Sequence, residues 1–426
     1  MNPLEMMSKL RALKWAAKEL RSLSTLRKNQ VLEKVAHLLE ERQDDLLKVN
    51  EKDVAAVQKR MEGNPDPTVP AFVDRLTLSP QRISLMVESL RQIASLSDPV
   101  GEIVDEKQLK NDLRAKRIRA PLGVIFLIFE FSPRLVLETF GLAFKAGNAL
   151  VLWGGSETAR TTKVLYRIIE DALRCAGLSK NMVWGIQDST LEIPEFLLKQ
   201  QRWIDVVLPR GTTALTQYVV EQSQIPVIRN DRGICHIYVH EDADLTMASN
   251  VIINSKTQRP GLDHAMETLL VHESVAQEFL PQLHSRLLAH SVEWYACPTS
   301  FTILEGRHRV KPATPKSWDT EYLRLSFNCK IVDSLGAAVA HIDEYGTRHS
   351  EVILTRSQAI AEKFQFEVDA AVVYWNASTR FSDGFEMGLG GDLGMSTQKL
   401  HVRGPIGLRE LTSVRWMMNG VGQVRG

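Results

Sequence analysis

The sequence predicts an α/β protein made of two doubly wound units. From about residue 117, short apolar runs alternate with helix-length amphipathic stretches, a pattern that implies parallel strands with crossover helices. The alternation restarts near residue 245 after a break. With 426 residues, 44% apolar and 24% charged, the chain has material for more than one core.

The first hundred residues read as packing helices. Ser24 caps one in which Val31, Val35, Leu38 and Leu46 recur on one face, and Ser79-Pro80 opens another with Ile83, Val87, Leu90 and Ile93 at helical spacing. The polar, Pro-rich stretch 61–70 is a surface connection between them. Strands are expected at Val124–Phe129 and at 149–153, 182–184, 204–208 and 225–228, with helices at 135–145, 158–176, 193–200 and 213–223. The second set has strands at 267–271, 302–304, 323–331, 351–355 and 370–374. Residues 376–404 are rich in Gly, polar and charged residues, and 411–426 suits a strand that pairs with another subunit. The implied division is 1–240, completed by about 376–410, then 241–375, then the tail 411–426.

A formal charge of +1, from 52 basic and 51 acidic residues, removes the electrostatic case for a nucleic-acid or membrane-surface binder. The first twenty residues carry scattered charges, and no apolar run approaches bilayer-spanning length, so the expectation is a cytoplasmic protein. Cys175, Cys235, Cys297 and Cys329 are widely spaced and form no metal signature, and each is expected to be a small buried hydrophobe. No metal is expected.

Two strand-to-helix turns with glycine, Trp153-Gly154-Gly155-Ser156 and Pro209-Arg210-Gly211, offer free N–H groups of the kind that favour phosphate. By glycine spacing alone both are ordinary turns. The polar stretch 254–265 breaks at Pro260-Gly261 and leads into a buried strand, so Asp263 and His264 fall on a turn at a strand end, where reactive side chains are commonly displayed. Sequence neighbours on a turn usually point apart, which argues against an acid/base dyad there. His349 is read as structural.

These stretches together resemble the γ-glutamyl phosphate reductases, the glutamate-5-semialdehyde dehydrogenase branch of the aldehyde dehydrogenase superfamily. The resemblance spans nearly the whole chain. It is carried by Lys256-Thr-Gln-Arg-Pro260 with Glu267-Thr-Leu-Leu-Val271, by Lys145-Ala-Gly-Asn148 with Gly154-Gly155-Ser156-Glu157, by Asn376-Ala-Ser-Thr-Arg-Phe381, and by Ser396-Thr-Gln-Lys-Leu-His-Val-Arg-Gly-Pro405. It implies an aldehyde-dehydrogenase-like fold with a small oligomerisation extension and a homo-oligomer, dimer or tetramer. It also implies NADPH-dependent reduction of γ-glutamyl phosphate, or binding of a related acidic small molecule, in proline biosynthesis, with glutamate 5-kinase as a partner.

Residue by residue, the resemblance places Trp153, Gly154, Gly155, Ser156, Pro209, Arg210, Gly211 and Glu321 at an NADP(H) site. It places Arg380, Lys399, His401 and Arg403 around an anionic substrate. Basic residues in a Gly-rich loop also serve as salt-bridge partners, so Arg380 is the best supported of these four. Three positions depart from the family pattern: Asp263 stands where the nucleophilic cysteine is expected, Ser132 where an arginine is expected, and Trp153 where a basic residue is usual. A carboxylate is a weak nucleophile that repels an acyl phosphate, and its acyl product is a labile anhydride. Two readings follow: a reductase with at most slow direct hydride transfer, or a catalytically silent relative that keeps ligand binding or assembly.

Overall fold

In the computed structural model, which describes residues 1–64, 69–110, 112–229 and 232–425, the two predicted sheets are present. The helices α1 (Pro3–Arg21), α2 (Thr25–Glu41), α3 (Gln43–Arg60), α4 (Val69–Leu76) and α5 (Pro80–Ser95) come first. Ser24 and Ser79 cap α2 and α5 as expected, each hydroxyl accepting a backbone N–H three residues on. Leu46, expected on the Ser24 helix, lies instead on α3, because the chain bends at Arg42. Residues 65–68 of the Pro-rich connection lie outside the described residues. Among the described residues no helix is long and apolar enough to cross a membrane.

After β1 (Ile103–Gln108) and β2 (Arg114–Pro121), the first parallel sheet is built from β3 (Val124–Phe129), β4 (Ala149–Gly154), β5 (Val183–Ile186) and β6 (Val206–Arg210), in the order β5-β4-β3-β6. The central strand β3 is apolar throughout and buried throughout, as a strand covered on both faces must be. The sheet's crossovers are α6 (Arg134–Lys145), α7 (Ala159–Cys175) and α8 (Glu192–Leu197), and α9 (Thr213–Gln222) leaves β6 toward the second sheet. The stretch 225–228, expected to be a strand, makes only an isolated bridge from Val227 to Val207. Pro226 has no N–H to donate, so no ladder forms there.

The second sheet comprises β7 (Cys235–Val239), β8 (Met266–His272), β9 (Glu293–Ala296), β10 (Val310–Pro312), β11 (Ser326–Val332), β12 (Ser350–Leu354) and β13 (Val372–Trp375). Its order is β10-β9-β11-β8-β7-β12-β13, parallel throughout. Thus β7 lies in the second sheet, ahead of the expected boundary at 240. The connecting helices are α10 (Leu245–Thr257), α11 (Glu273–Leu288), α12 (Pro298–Ile303), α13 (Leu335–Tyr345) and α14 (Gln358–Glu367). Residues 302–304, expected to be a strand, close α12, whose start is set by Cys297 as N-cap and Pro298. The three residues Thr302-Ile303-Leu304 do not distinguish strand from helix, and the cap decides. The strand expected from 323 begins at Ser326.

The chain then returns to the first unit. A short pair, β14 (Met395–Ser396) and β15 (Gly404–Pro405), brings Leu393, Ile406, Leu408 and Leu411 into the core that holds β3 and α6. The tail strand β16 (Thr412–Asn419) pairs antiparallel with β2 along its length, forming the sheet β1-β2-β16. Every residue of β16 after Thr412 is exposed, Trp416 and Met418 among them.

Candidate active site

The carboxyl ends of β3 and β6 meet the amino end of β8 around a cavity of about 1080 Å³. The first sheet contributes Glu130, Ser132, Arg210 and Gly211, and the second contributes Leu262 and Asp263. Arginines dominate the wall, among them Arg75, Arg82, Arg134, Arg229, Arg232, Arg259 and Arg348. Such a lining suits an anionic ligand. Arg134, two positions beyond Ser132, is the one of these that the sequence offers as a replacement for the missing charge; the others lie on separate elements and only folding gathers them.

Asp263 sits on the turn between α10 and β8. The turn is held from two sides: Arg75 of α4 donates to the Gly261 carbonyl, and the Cys235 thiol donates to the Asp263 carbonyl at 3.4 Å. Gly233 passes so close beneath it that a Cβ there would stand 1.6 Å from the Asp263 carbonyl oxygen. Burial works to raise the Asp263 pKa, but the hydrogen bond from His264 and the charges of His349, His264 and Arg210 outweigh it, holding the carboxyl well below the usual range. The expectation that Asp263 and His264 point apart is overturned: His264 Nδ1 lies 3.2 Å from Asp263 Oδ1. His264 is itself buried, does not line the cavity, and its Nε2 has no hydrogen-bond partner among the described residues.

His349 is buried behind the turn, its Nδ1 3.0 Å from Ser350 Oγ and 3.7 Å from Cys235 Sγ. Of the four cysteines, all unpaired, Cys175 is exposed, contrary to expectation, because it ends α7 on the surface. Cys235 is fully buried, and burial followed by the charges of Glu351 and Asp263 raises its pKa well above the ordinary thiol value.

Ser132 lines the cavity just after β3, where its N–H donates to the Glu130 carbonyl at 2.8 Å across Phe131, whose φ is 67°. This is a γ-turn, a strained conformation. Arg134 does reach the cavity, but its Nε is committed to Glu138 at 3.0 Å. Glu321 also lines it and accepts from the Gly233 N–H at 2.8 Å. Burial raises its pKa.

The two glycine turns part company. At the β6–α9 turn, which Pro209 leads into, Arg210 and Gly211 line the cavity together with Thr212 and Thr213 at the start of α9. At the β4 turn, Gly154, Gly155 and Ser156 do not line it, and the Glu157 carboxylate lies over Gly155 and pairs with Arg60 at 3.0 Å. Trp153 is 4% exposed, packed in the core with α1, and donates its indole N–H to the Asp188 carbonyl at 3.0 Å. Its side chain faces core and not ligand. A dinucleotide therefore fits the β6–α9 side, with its helix N-terminus and Arg210, better than the β4 side, where a carboxylate stands at the turn.

The four basic residues expected at the substrate separate as well. Lys399 Nζ and Arg403 Nη2 both pair with Asp369, at 2.8 and 2.7 Å, and these bonds hold Asp369 at about 2. His401 is exposed, its Nε2 2.9 Å from the Glu410 carbonyl. All three anchor the Gly-rich segment to its surroundings, and from that segment it is Thr397 that lines the cavity. Arg380 donates through Nε to Gln258 at 2.6 Å, one residue before Arg259.

A buried ion pair was not anticipated. Lys256 Nζ lies 3.0 Å from Glu267 Oε2 with both side chains wholly inaccessible, and the Leu323 N–H donates to Glu267 Oε1 at 3.2 Å. Burial, only partly offset by Lys256, pushes Glu267 up to about 7. The signal available was two ionisable residues within otherwise apolar helix and strand faces.

The sequence model of the Aldehyde dehydrogenase family matches residues 5–294. The chain is 43% identical to the γ-glutamyl phosphate reductase of Carboxydothermus hydrogenoformans over 422 residues, 99% of this chain and 100% of that one. It is 42% identical to that of Koribacter versatilis over 417 residues, 98% and 99% of the two chains. The crystal structure of γ-glutamyl phosphate reductase from Thermotoga maritima superposes with a TM-score of 0.92 at 39% identity, covering 99% of this chain and 100% of that one. An acetylating aldehyde dehydrogenase from Geobacillus thermoglucosidasius, at 18% identity and a TM-score of 0.73 over 99% and 98% of the two chains, shares the fold. A nicotinamide cofactor is implied by that fold family. The chain thus belongs to the γ-glutamyl phosphate reductases, within the aldehyde dehydrogenase family.

Proposed function

We propose that this chain binds NADP(H) and γ-glutamyl phosphate, or a closely related acidic small molecule, and carries out no thiol-dependent reduction of it. The observation that carries this reading is the Asp263 carboxylate, held ionised on the cavity wall at the position where the family resemblance expects a thiolate. Among the described residues no cysteine lines the cavity, and Cys235 lies buried under the Asp263 carbonyl.

The chain's own groups account for binding. Arg210, Gly211, Thr212 and Glu321 would hold the dinucleotide, which supplies a hydride when bound. The arginine-lined wall would hold the acyl phosphate. Asp263 then meets the acyl carbon with a fixed negative charge. A carboxylate whose pKa is held low is a poor nucleophile, and an anhydride formed on it would hydrolyse instead of waiting for reduction. Ser132 leaves the loop after β3 without the expected arginine, and loss of one oxyanion donor typically costs about 2.7 to 4 kcal/mol of transition-state stabilisation.

The second reading, a working NADPH-dependent reductase of proline biosynthesis, draws support from the 43% identity over the full length of a protein bearing that name. Phosphate-dependent oxidation of glutamate 5-semialdehyde by NADP, measured on the wild-type chain and on Asp263→Cys, separates the two. The silent reading expects no wild-type turnover and gain of turnover in the variant. Wild-type turnover within about tenfold of the Carboxydothermus enzyme would overturn it.

We also propose a homo-oligomer built through β16, whose exposed Val414, Trp416 and Met418 share one face of an edge strand. Light scattering on the full chain and on a chain ending at Leu411 tests it: a monomeric full chain refutes the proposal.

A further inference from the structure

Replacing a buried ion pair by apolar residues of similar size is often neutral or stabilising, so stability alone does not account for one. Lys256 and Glu267 form such a pair, with both side chains wholly inaccessible. Lys256 comes from the last turn of α10 and Glu267 from the start of β8, four residues after Asp263. Neither lines the cavity. What the pair does touch is the loop ahead of β11, whose Glu321 and Leu323 both line it.

The ladder of β11 begins only at Ser326, so the loop is held by side-chain bonds at three successive residues. The Glu321 carboxylate accepts the Gly233 N–H at 2.8 Å, the Tyr322 hydroxyl donates to Asn328 at 2.8 Å, and the Leu323 N–H donates to Glu267 Oε1 at 3.2 Å. The last of these falls on a strained residue. Leu323 has φ 52°, in the left-handed region that favours glycine, and such a backbone persists only where its surroundings over-determine it. Glu267 supplies the acceptor for its N–H, and Lys256, 3.0 Å from Oε2, holds the carboxylate from the other side. Burial and mutual attraction act first on the pair, and the charge of Glu321 then raises the pKa of each member, so all three groups stand within electrostatic range of one another.

We propose that Glu267, held by Lys256, is a positioning residue for the dinucleotide site: through the Leu323 N–H it fixes the loop that presents Glu321 to the cavity. Glu267 itself touches neither cofactor nor substrate and acts only through that backbone. Its carboxylate joins α10 and the strand that follows the Asp263 turn to the loop that carries Glu321, and an apolar pair of the same size would pack there without making that connection. This role rests on Glu321 being a dinucleotide group, as in the proposed function, and does not depend on turnover.

The test compares two double variants of the full chain, Lys256→Met/Glu267→Leu and Lys256→Met/Glu267→Gln, with wild type by urea unfolding and by fluorescence titration with NADPH. Both variants remove the ion pair. Leucine packs well but offers the Leu323 N–H nothing, whereas the glutamine amide oxygen still accepts it and the buried amide NH2 is left unsatisfied. The leucine variant is therefore expected to be the more stable of the two and to bind NADPH about tenfold more weakly than wild type, and the glutamine variant to be the less stable and to bind within about threefold of wild type. A purely structural pair gives the opposite order, with affinity following stability. Leucine-variant affinity within about twofold of wild type, or no weaker than that of the glutamine variant, overturns the proposal. If the glutamine variant does not fold, the leucine variant decides alone against wild type. A wild type that binds no NADPH refutes the cofactor reading and not the positioning; hydrogen exchange across residues 319–325 then decides, about tenfold faster in the leucine variant than in wild type if Glu267 holds the loop, and equal in the two if it does not.

Discussion

Replacing Gly233 with alanine tests whether the Asp263 turn is positioned by the strand beneath it. The added Cβ would stand 1.6 Å from the Asp263 carbonyl oxygen and 2.5 Å from its carbonyl carbon, both backbone atoms that cannot rotate away. An ordinary contact needs about 3.5 Å, so either the turn or the Gly233 segment must move by more than an ångström. Overpacking of this kind costs about 1 to 3 kcal/mol. The movement also strains the Gly233 N–H bond to Glu321 at 2.8 Å and the Cys235 contact to the Asp263 carbonyl; a hydrogen bond to a charged group is worth about 1.5 to 3 kcal/mol. Together a loss of about 2.5 to 6 kcal/mol is expected in urea unfolding when the two costs add. In the Asp263→Cys background a 1 Å displacement of the reacting group should lower turnover about 100-fold. Gly233→Ala with stability within about 1 kcal/mol of wild type and unchanged Asp263→Cys turnover would refute the reasoning.

Lys256→Met should destabilise the chain by about 3 to 5 kcal/mol, because it leaves Glu267 buried without its partner, and Lys256→Met/Glu267→Leu should recover most of that loss; equal destabilisation in the single and double variants would contradict the ion-pair account. Lys399→Ala and Arg403→Ala should each change stability by no more than about 1 kcal/mol, since their partner Asp369 is itself more than a third exposed, and should leave phosphate affinity within about twofold by calorimetry. Asp263 has a folded pKa below its unfolded value, so its contribution is fully present above about 3.8 and is lost as pH falls through the lower folded value. Asp263→Asn should therefore be less stable than wild type from pH 5 to 8, with the gap closing below about pH 4; a gap that widens on acidification would reverse the sign of the argument.

Much of the fold was legible because it depends on local pattern. The all-apolar run of β3 and the capping serines before α2 and α5 carry their own signals. Where a run was short, the pattern failed: residues 302–304 were claimed by a helix cap, and 225–228 lost their ladder to Pro226. The site was legible in place but not in membership. Trp153 is adjacent in sequence to a phosphate-type turn, yet strand alternation points its ring into the core against α1. Lys399 and Arg403 lie in a basic motif, yet a single carboxylate, Asp369, takes both.

The sequence by itself determined the family, the alternation that makes two parallel sheets, and the presence of an acidic side chain at Asp263 on a strand-end turn. Only the tertiary structure decided what surrounds that side chain. His264, His349 and Arg210 keep it ionised, and Gly233 and Cys235 hold its backbone from below. The reason is physical. Secondary structure follows periodicities of two to four residues, whereas the charge state of this carboxylate depends also on Arg210 and His349, tens of positions away along the chain and brought near it by the packing of two sheets.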